Sequence, residues 1–304
     1  MKSFLFFFLS TACCLSFPVF VHPYTQTRVL LGTTVSITII EEQQTAQKAF
    51  ASAFEEIKRI EKIMNWFDSE SCVSKLNRDG ANFPVEVCED LFKIIEMSQN
   101  FSKGTDGIFD ITATSLKRKD GWKNIILDKQ NRTVFFKDKD VKVDLGGIAK
   151  GYAIDRAVDV LKKLDIKSAL IDGGGDIRVV GKGRNGKPWN IGLMDPIDDK
   201  KILGTLSLSS SIATSGNYLR EHIIDTSSGE SANTDVISSS IITDNCAKAQ
   251  ALAKVPIIAG LSGLKYLKDV SIICVVKQHG KTYVLISEDI EFIPRKGVEV
   301  RIIR

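Results

Sequence analysis

The chain has 304 residues, of which 43% are hydrophobic and 26% charged. That length buries about 75% of the unfolded surface in a core, and the composition excludes disordered, collagenous and disulfide-scaffold proteins. Lys and Arg number 41 against 37 Asp and Glu, a net charge of +4, which excludes nucleic-acid recognition by bulk electrostatics and leaves room for a local basic site.

In chain order, Lys2 precedes an uncharged run over residues 4–21, densest in its front half and interrupted by Pro18. A positive residue before a short apolar block is the form of an export signal or uncleaved anchor. Residues 1–21 are therefore read as signal or membrane anchor, and 22–304 as one compact unit. Ser10, Thr11 and Ala12 before Cys13 point to lipoprotein processing. Cys72, Cys88, Cys246 and Cys274 lie far apart without a CxxC pair, which argues against a zinc site. Disulfides after export and buried thiols are both compatible with them.

Residues 29–40 are β-branched and predict a strand interrupted at Gly32. Ala46, Ala49, Phe50, Ala53, Phe54, Ile57, Ile60 and Met64 then recur at the 3,4 spacing of an amphipathic helix. Residues 86–101 predict a second helix, 125–127 and 133–136 a hairpin, and 141–145 a short strand. That strand runs through Gly146-Gly147 into a helix over 149–164. Strands follow at 168–171, 177–180 and 189–193, and the C-terminal stretch is strand-rich. Helices and strands mix without strict βαβ alternation, so the fold class is α+β with mixed sheets and flanking helices.

Four clusters are too polar and glycine-rich for plain core. In VDLGGIAKGY, Asp144 ends a strand, Gly146 and Gly147 turn the chain, and Lys150 falls in the first turn of a helix. That arrangement aims backbone N–H groups and an ammonium at an anion; the GxxxxGK[ST] spacing of a Walker loop is absent. IDGGGDI gives three consecutive glycines where a flat ligand or another backbone can approach. ATSGNY is followed by HIIDTSSG, which holds His222 and Asp225. No GxSxG elbow exists, so a Ser/His/Asp hydrolase is excluded. DGIFDIT places two carboxylates at the entrance to an apolar stretch.

Taken in order with LLGTTVSI and MNWFDSESCVSKLN, these segments resemble the ApbE family of FAD:protein FMN transferases over nearly the whole chain beyond the leader. The resemblance implies an ApbE-like, T-fold-related unit. The activity it implies cleaves FAD, joins FMN to a Ser or Thr of an acceptor flavoprotein and releases AMP. A binder of FAD without transfer, and a pyrophosphatase giving FMN and AMP, are alternatives. Carried over by position, the flavin set is Leu31, Phe67, Ile108, Phe109, Asp110, Asp144, Lys150 and Ile224. Asp144, His222 and Asp225 are the candidate proton acceptors. The family also implies Mg2+, held here at Gly147, Gln250 and Lys254, where an amide and an ammonium stand in place of the family's Asp and Thr. Magnesium prefers oxygen ligands and usually a carboxylate, so two readings follow: Lys254 substitutes for the cation, or the site binds flavin without reacting. The family's partner would be a flavoprotein subunit of a membrane redox complex. The implied location is exported, periplasmic or at the outer face of the cytoplasmic membrane.

Overall fold

The computed structural model describes residues 21–116, 120–216 and 223–303. The leader reading falls almost wholly outside them. β1 (His22–Leu30) and β2 (Thr33–Glu41) form an antiparallel hairpin with Leu30 opposite Thr33. Leu31 and Gly32 between them have φ of 57° and 68°, as a primed two-residue turn requires. The single strand expected over 29–40 is thus two strands. β1 escaped the pattern because its face is mostly exposed and polar before Val29. β2 points Val35, Ile37 and Ile39 into the core.

α1 (Gln43–Met64) buries the eight apolar residues that its spacing singled out. A short helix, α2 (Cys72–Asp79), follows, capped by the Ser71 hydroxyl, which accepts from the Ser74 N–H. It is polar and too short for periodicity to reveal. After β3 (Val85–Glu86), α3 (Glu89–Gly104) starts three residues later than expected, with Cys88 at its N-cap. A one-turn helix, α4 (Ala113–Leu116), precedes the expected hairpin of β4 (Ile125–Asp128) and β5 (Thr133–Phe136), which β3 extends to three strands.

The strand expected at 141–145 pairs with no strand among the described residues. Instead the Asn77 side chain takes its backbone on both sides, accepting from Val143 N at 2.8 Å and donating to Val143 O at 2.9 Å. Asp144 N donates to Ile111 O at 2.7 Å. Side-chain and loop partners thus satisfy an extended segment that β-propensity reads as ladder.

α5 (Ala149–Lys163) leads into β6 (Ala169–Gly173), β7 (Ile177–Val180), β8 (Trp189–Met194), β9 (Ile202–Leu208), β10 (Ser211–Ser215) and β11 (Val236–Thr243). Then come α6 (Cys246–Leu252), α7 (Val255–Ala259), β12 (Ser271–Gln278), β13 (Lys281–Ile286), β14 (Phe292–Pro294) and β15 (Val300–Ile302). Among the described residues, nine strands make one sheet in the order β1-β2-β6-β7-β10-β11-β12-β13-β15, antiparallel except for β13 and β15; β14, β9 and β8 form a smaller sheet. The architecture is α+β. β12 shows how the layers meet: Ile272, Cys274 and Val276 face the core under α6 and α7, while Ile273 and Val275 face the core shared with β8 and β9. The period of two puts successive residues on opposite faces, so a strand covered on both sides reads as an unbroken apolar run. The four cysteines beyond the leader are free thiols, Cys246 and Cys274 buried.

α5 and α6 cap each other. The Asp155 carboxylate of α5 accepts from Cys246 N at 2.9 Å and Ala247 N at 3.0 Å, and also pairs with Arg178. In return, Gln250 Oε1 of α6 accepts from Gly151 N at 2.9 Å, a service that Ile148, at the N-cap of α5, has no side-chain oxygen to provide. Gly151 permits the approach: a Cβ there would lie 2.4 Å from Cys246 O.

Candidate active site

The glycine turns converge on one cavity of about 690 Å³, a size usual for small-molecule sites. The loop carrying Ile108 to Ile111, the Asp144–Lys150 turn and the Gly174-Gly175-Asp176 turn between β6 and β7 line it. β8 contributes Ile191 and Met194, β10 contributes Thr214 and Ser215, and Ile224, Gln250 and Lys254 complete the wall. Trp66 and Phe67 stand at its edge with ring centroids 5.2 Å apart, and Phe67 is 86% exposed. Phe109 is buried and meets Phe101 edge-on.

Each carboxylate has distinct work. Asp110 accepts from Thr112 N at 2.8 Å, Thr112 Oγ1 at 2.7 Å and Trp122 N at 3.1 Å. Burial raises its pKa against these bonds, and the carboxylate organises the loop that presents Phe109. Asp144 closes its own turn by accepting from Gly146 N at 2.8 Å. Asp176 is buried beside Lys150, Oδ2 to Nζ 2.7 Å, yet that oxygen accepts no hydrogen bond of ordinary geometry. The lysine also reaches Gly173 O at 3.4 Å. The ammonium is therefore held at the cavity wall by the Asp176 charge and one long hydrogen bond to Gly173 O, and an arriving anion can recruit it.

The residues at the implied metal positions come together but do not fit magnesium. Gly151 N can only donate and Gly146 O can only accept, so the bonds of Gln250 fix its amide: Oε1 toward Gly151 N, Nε2 toward Gly146 O at 3.2 Å. The amide hydrogens thus point into the Asp144–Lys150 turn where a cation would need oxygen. Lys254, at the N-cap of α7, folds back to donate from Nζ to Gln250 O at 3.2 Å. A Cβ on Gly147 would stand 3.4 Å from Lys254 Cε and 3.2 Å from the Phe109 ring, so the glycine leaves room for both. Among the described residues, no group of three His, Cys, Asp or Glu is arranged to hold a metal ion.

Of the flavin and catalytic candidates, Phe67, Ile108, Phe109, Asp110, Asp144, Lys150 and Ile224 all line the cavity. Leu31 does not; it sits in the hairpin turn with its N–H donated to Glu61 at 2.6 Å. Nor does Asp225 line it. Burial would raise the Asp225 pKa, but hydrogen bonds from Ser227 and Ser228 overcome this and lower it; the carboxylate shapes its own turn. His222 lies outside the described residues. Thr226, beside Asp225, does reach the site, its hydroxyl donating to Gly107 O at 3.0 Å. Sequence reasoning passed over Asp176, Trp66 and the β8 wall. The glycine run before Asp176 and the aromatic pair 66–67 were visible signals. Ile191 and Met194 gave none, because the smaller sheet brings them in.

These features define a cavity lined by aromatic and lysine side chains in an α+β protein. A sequence profile of the ApbE family matches residues 31–119 and 113–276: the chain belongs to the ApbE family. It is 26% identical over 294 residues to the FAD:protein FMN transferase of Klebsiella pneumoniae, spanning 84% of this chain and 89% of the relative. It is 28% identical to that of Chlamydia muridarum over 74% and 78%. The crystal structure of the ApbE protein of Thermotoga maritima superposes with a TM-score of 0.80 at 30% identity, covering 88% of this chain and 97% of that one. The flavin transferase ApbE of Vibrio cholerae shares the fold, with a TM-score of 0.78 at 22% identity, covering 88% and 98%.

Proposed function

We propose that the protein is a FAD:protein FMN transferase. The observation that carries this reading is the convergence of three separate turns, at Ile108–Ile111, Asp144–Lys150 and Gly174–Asp176, on one cavity with aromatic faces and two lysines, in a family whose curated relatives bear that name. Trp66, Phe67 and Phe109 offer faces to the ring systems of FAD. Lys150 serves the diphosphate, and each charge-assisted hydrogen bond there contributes about 1.5–3 kcal/mol.

In the reaction, an acceptor Ser or Thr oxygen attacks the FMN-side phosphorus and the P–O bond to AMP breaks. AMP leaves with the bonding electron pair, and the hydroxyl proton passes to a base and then to the departing phosphate. Such transfers depend on positioning and charge stabilisation more than on covalent chemistry by the protein. Asp144 is the base in this reading, because it lines the cavity and Asp225 does not. Residues 1–21 act as an export signal or anchor, and 22–304 form the transferase unit. The acceptor is a flavoprotein subunit of a membrane redox complex on the exported side. The exposed aromatic pair at residues 66–67, on the cavity edge, suits an acceptor segment entering over the flavin.

Incubating the purified full-length chain with FAD and membranes of the source organism tests this. The expected result is a protein band with covalent flavin fluorescence after denaturing electrophoresis, and AMP in matching amount. Equal FMN and AMP with no fluorescent band would make the protein a pyrophosphatase, and neither product would sink both enzymatic readings.

A further inference from the structure

We propose that Lys254 is the built-in cation of this site: its ammonium, together with Lys150, holds the diphosphate of FAD, so that binding needs no divalent metal. The inference rests on the transferase reading for the identity of the ligand and on the cavity for the rest.

Four observations support it. Lys254 lines the same cavity as Lys150, Asp144 and Asp176. Among the described residues it makes no ion pair; it is tethered to Gln250 O at 3.2 Å and only feels Asp176 and Asp144 at longer range. A lysine in a desolvated wall without a close carboxylate is costly, and that cost is recovered when an anion arrives. Gly147 lies directly beside its stem: a Cβ there would make an ordinary contact with Lys254 Cε at 3.4 Å and a tight one with the Phe109 ring at 3.2 Å. Finally, Gln250 spends both ends of its amide on Gly151 N and Gly146 O. It therefore supports the turn, and the carbonyl that tethers Lys254 belongs to the same helix that Asp155 caps. The tether and the cap thus hold, on the cavity wall beside the Asp144–Lys150 turn, a lysine that has no ion pair among the described residues.

This predicts an opposition that a merely structural lysine would not show. Lys254→Met keeps the length and removes the charge. It should raise the melting temperature of the free protein, because a desolvated charge is gone, while weakening FAD binding at least tenfold. Riboflavin, which carries the same ring system and no phosphate, should change by less than twofold. Lys254→Arg should recover part of the FAD affinity. Binding is read by quenching of flavin fluorescence on the full-length chain, in EDTA and in excess magnesium chloride, and FAD affinity should agree within about twofold between the two.

A FAD affinity lost in EDTA and restored by magnesium would overturn the proposal. So would equal losses for FAD and riboflavin in Lys254→Met, which would mark a packing role. Failure of the transferase reading looks different: wild-type protein would then bind FAD tightly, with the predicted Lys254 signature, yet leave no covalent flavin on any acceptor protein.

Discussion

Asp155→Ala is expected to destabilise the protein by about 3–5 kcal/mol, the usual cost of stripping one partner from a buried ion pair, and to impair the site from a distance. Asp155 is mostly buried and holds three donors at once: the amides of Cys246 and Ala247 and the guanidinium of Arg178. Without it, the two N-terminal amides of α6 lose their acceptor and Arg178 is left beside a vacated carboxylate site. Asn245 still caps Lys248 N at 2.8 Å, so α6 should survive but shift. Gln250 then leaves Gly151 and Gly146, and Lys254 leaves the cavity wall. Urea unfolding measures the first effect, and FAD binding of the folded fraction measures the second. Asp155→Asn, which keeps one acceptor, should lose less, and adding Arg178→Met to Asp155→Ala should restore part of the stability. A loss below about 1 kcal/mol in Asp155→Ala would mean that α6 is anchored by its apolar face alone.

The affinity for FAD should fall steeply above pH 8. Burial lowers the pKa of Lys254 from 10.5 to about 8, opposed by the Asp176 and Asp144 carboxylates and reinforced by the Lys150 charge. These groups, with the neutral amide of Gln250, are the polar neighbours that face it. A bound diphosphate favours the ammonium and raises its pKa again. Above pH 8 the free protein has therefore lost a proton that the complex keeps, so binding takes one up. For a single proton, Kd rises by up to about tenfold per pH unit until the pKa of the complex is reached. Below pH 8 both states are protonated and affinity is flat.

The same shift has the opposite sign in stability. The unfolded lysine keeps its proton to higher pH than the folded one, so the free protein gains stability between about pH 8 and 10.5. Titrations of FAD against riboflavin from pH 6 to 10, in wild type and Lys254→Met, separate this group from others. A wild-type profile that matches the variant would remove Lys254 from the account.

Much of the site was legible because its chemistry is concentrated in short glycine-rich turns. Asp144, Gly147 and Lys150 lie within seven residues and all line the cavity, but the amides of Gly146, Ile148, Ala149 and Gly151, expected to face an anion, are taken by Asp144, Leu145 O and Gln250. The long helix was legible because eight apolar residues keep one period. What stayed hidden depends on contacts far apart in the chain. The segment at 141–145 has the composition of a strand, and only the reach of Asn77 across 66 residues shows why it joins no sheet. β1 is polar on its open face and so carries no alternation. The roles of Asp110, Asp225 and Leu31 were assigned by position. The structure shows the first building a loop, the second building a turn outside the cavity wall, and the third turning a hairpin. Gln250 and Lys254 were visible as substitutions, but the sense of the change was not. It emerges only when Gly151 and Gly146 are seen to fix the direction of the amide.

The central claim, flavin transfer supported by the Lys150 and Lys254 ammonium groups and not by a divalent ion, is tested most directly by AMP release matched to covalent flavin on the acceptor. The full-length chain is stripped of metal, mixed with FAD and acceptor membranes in excess EDTA, and AMP is followed beside a parallel reaction in magnesium chloride. The account predicts initial rates that agree within a few-fold. AMP that appears only in the magnesium reaction would contradict it.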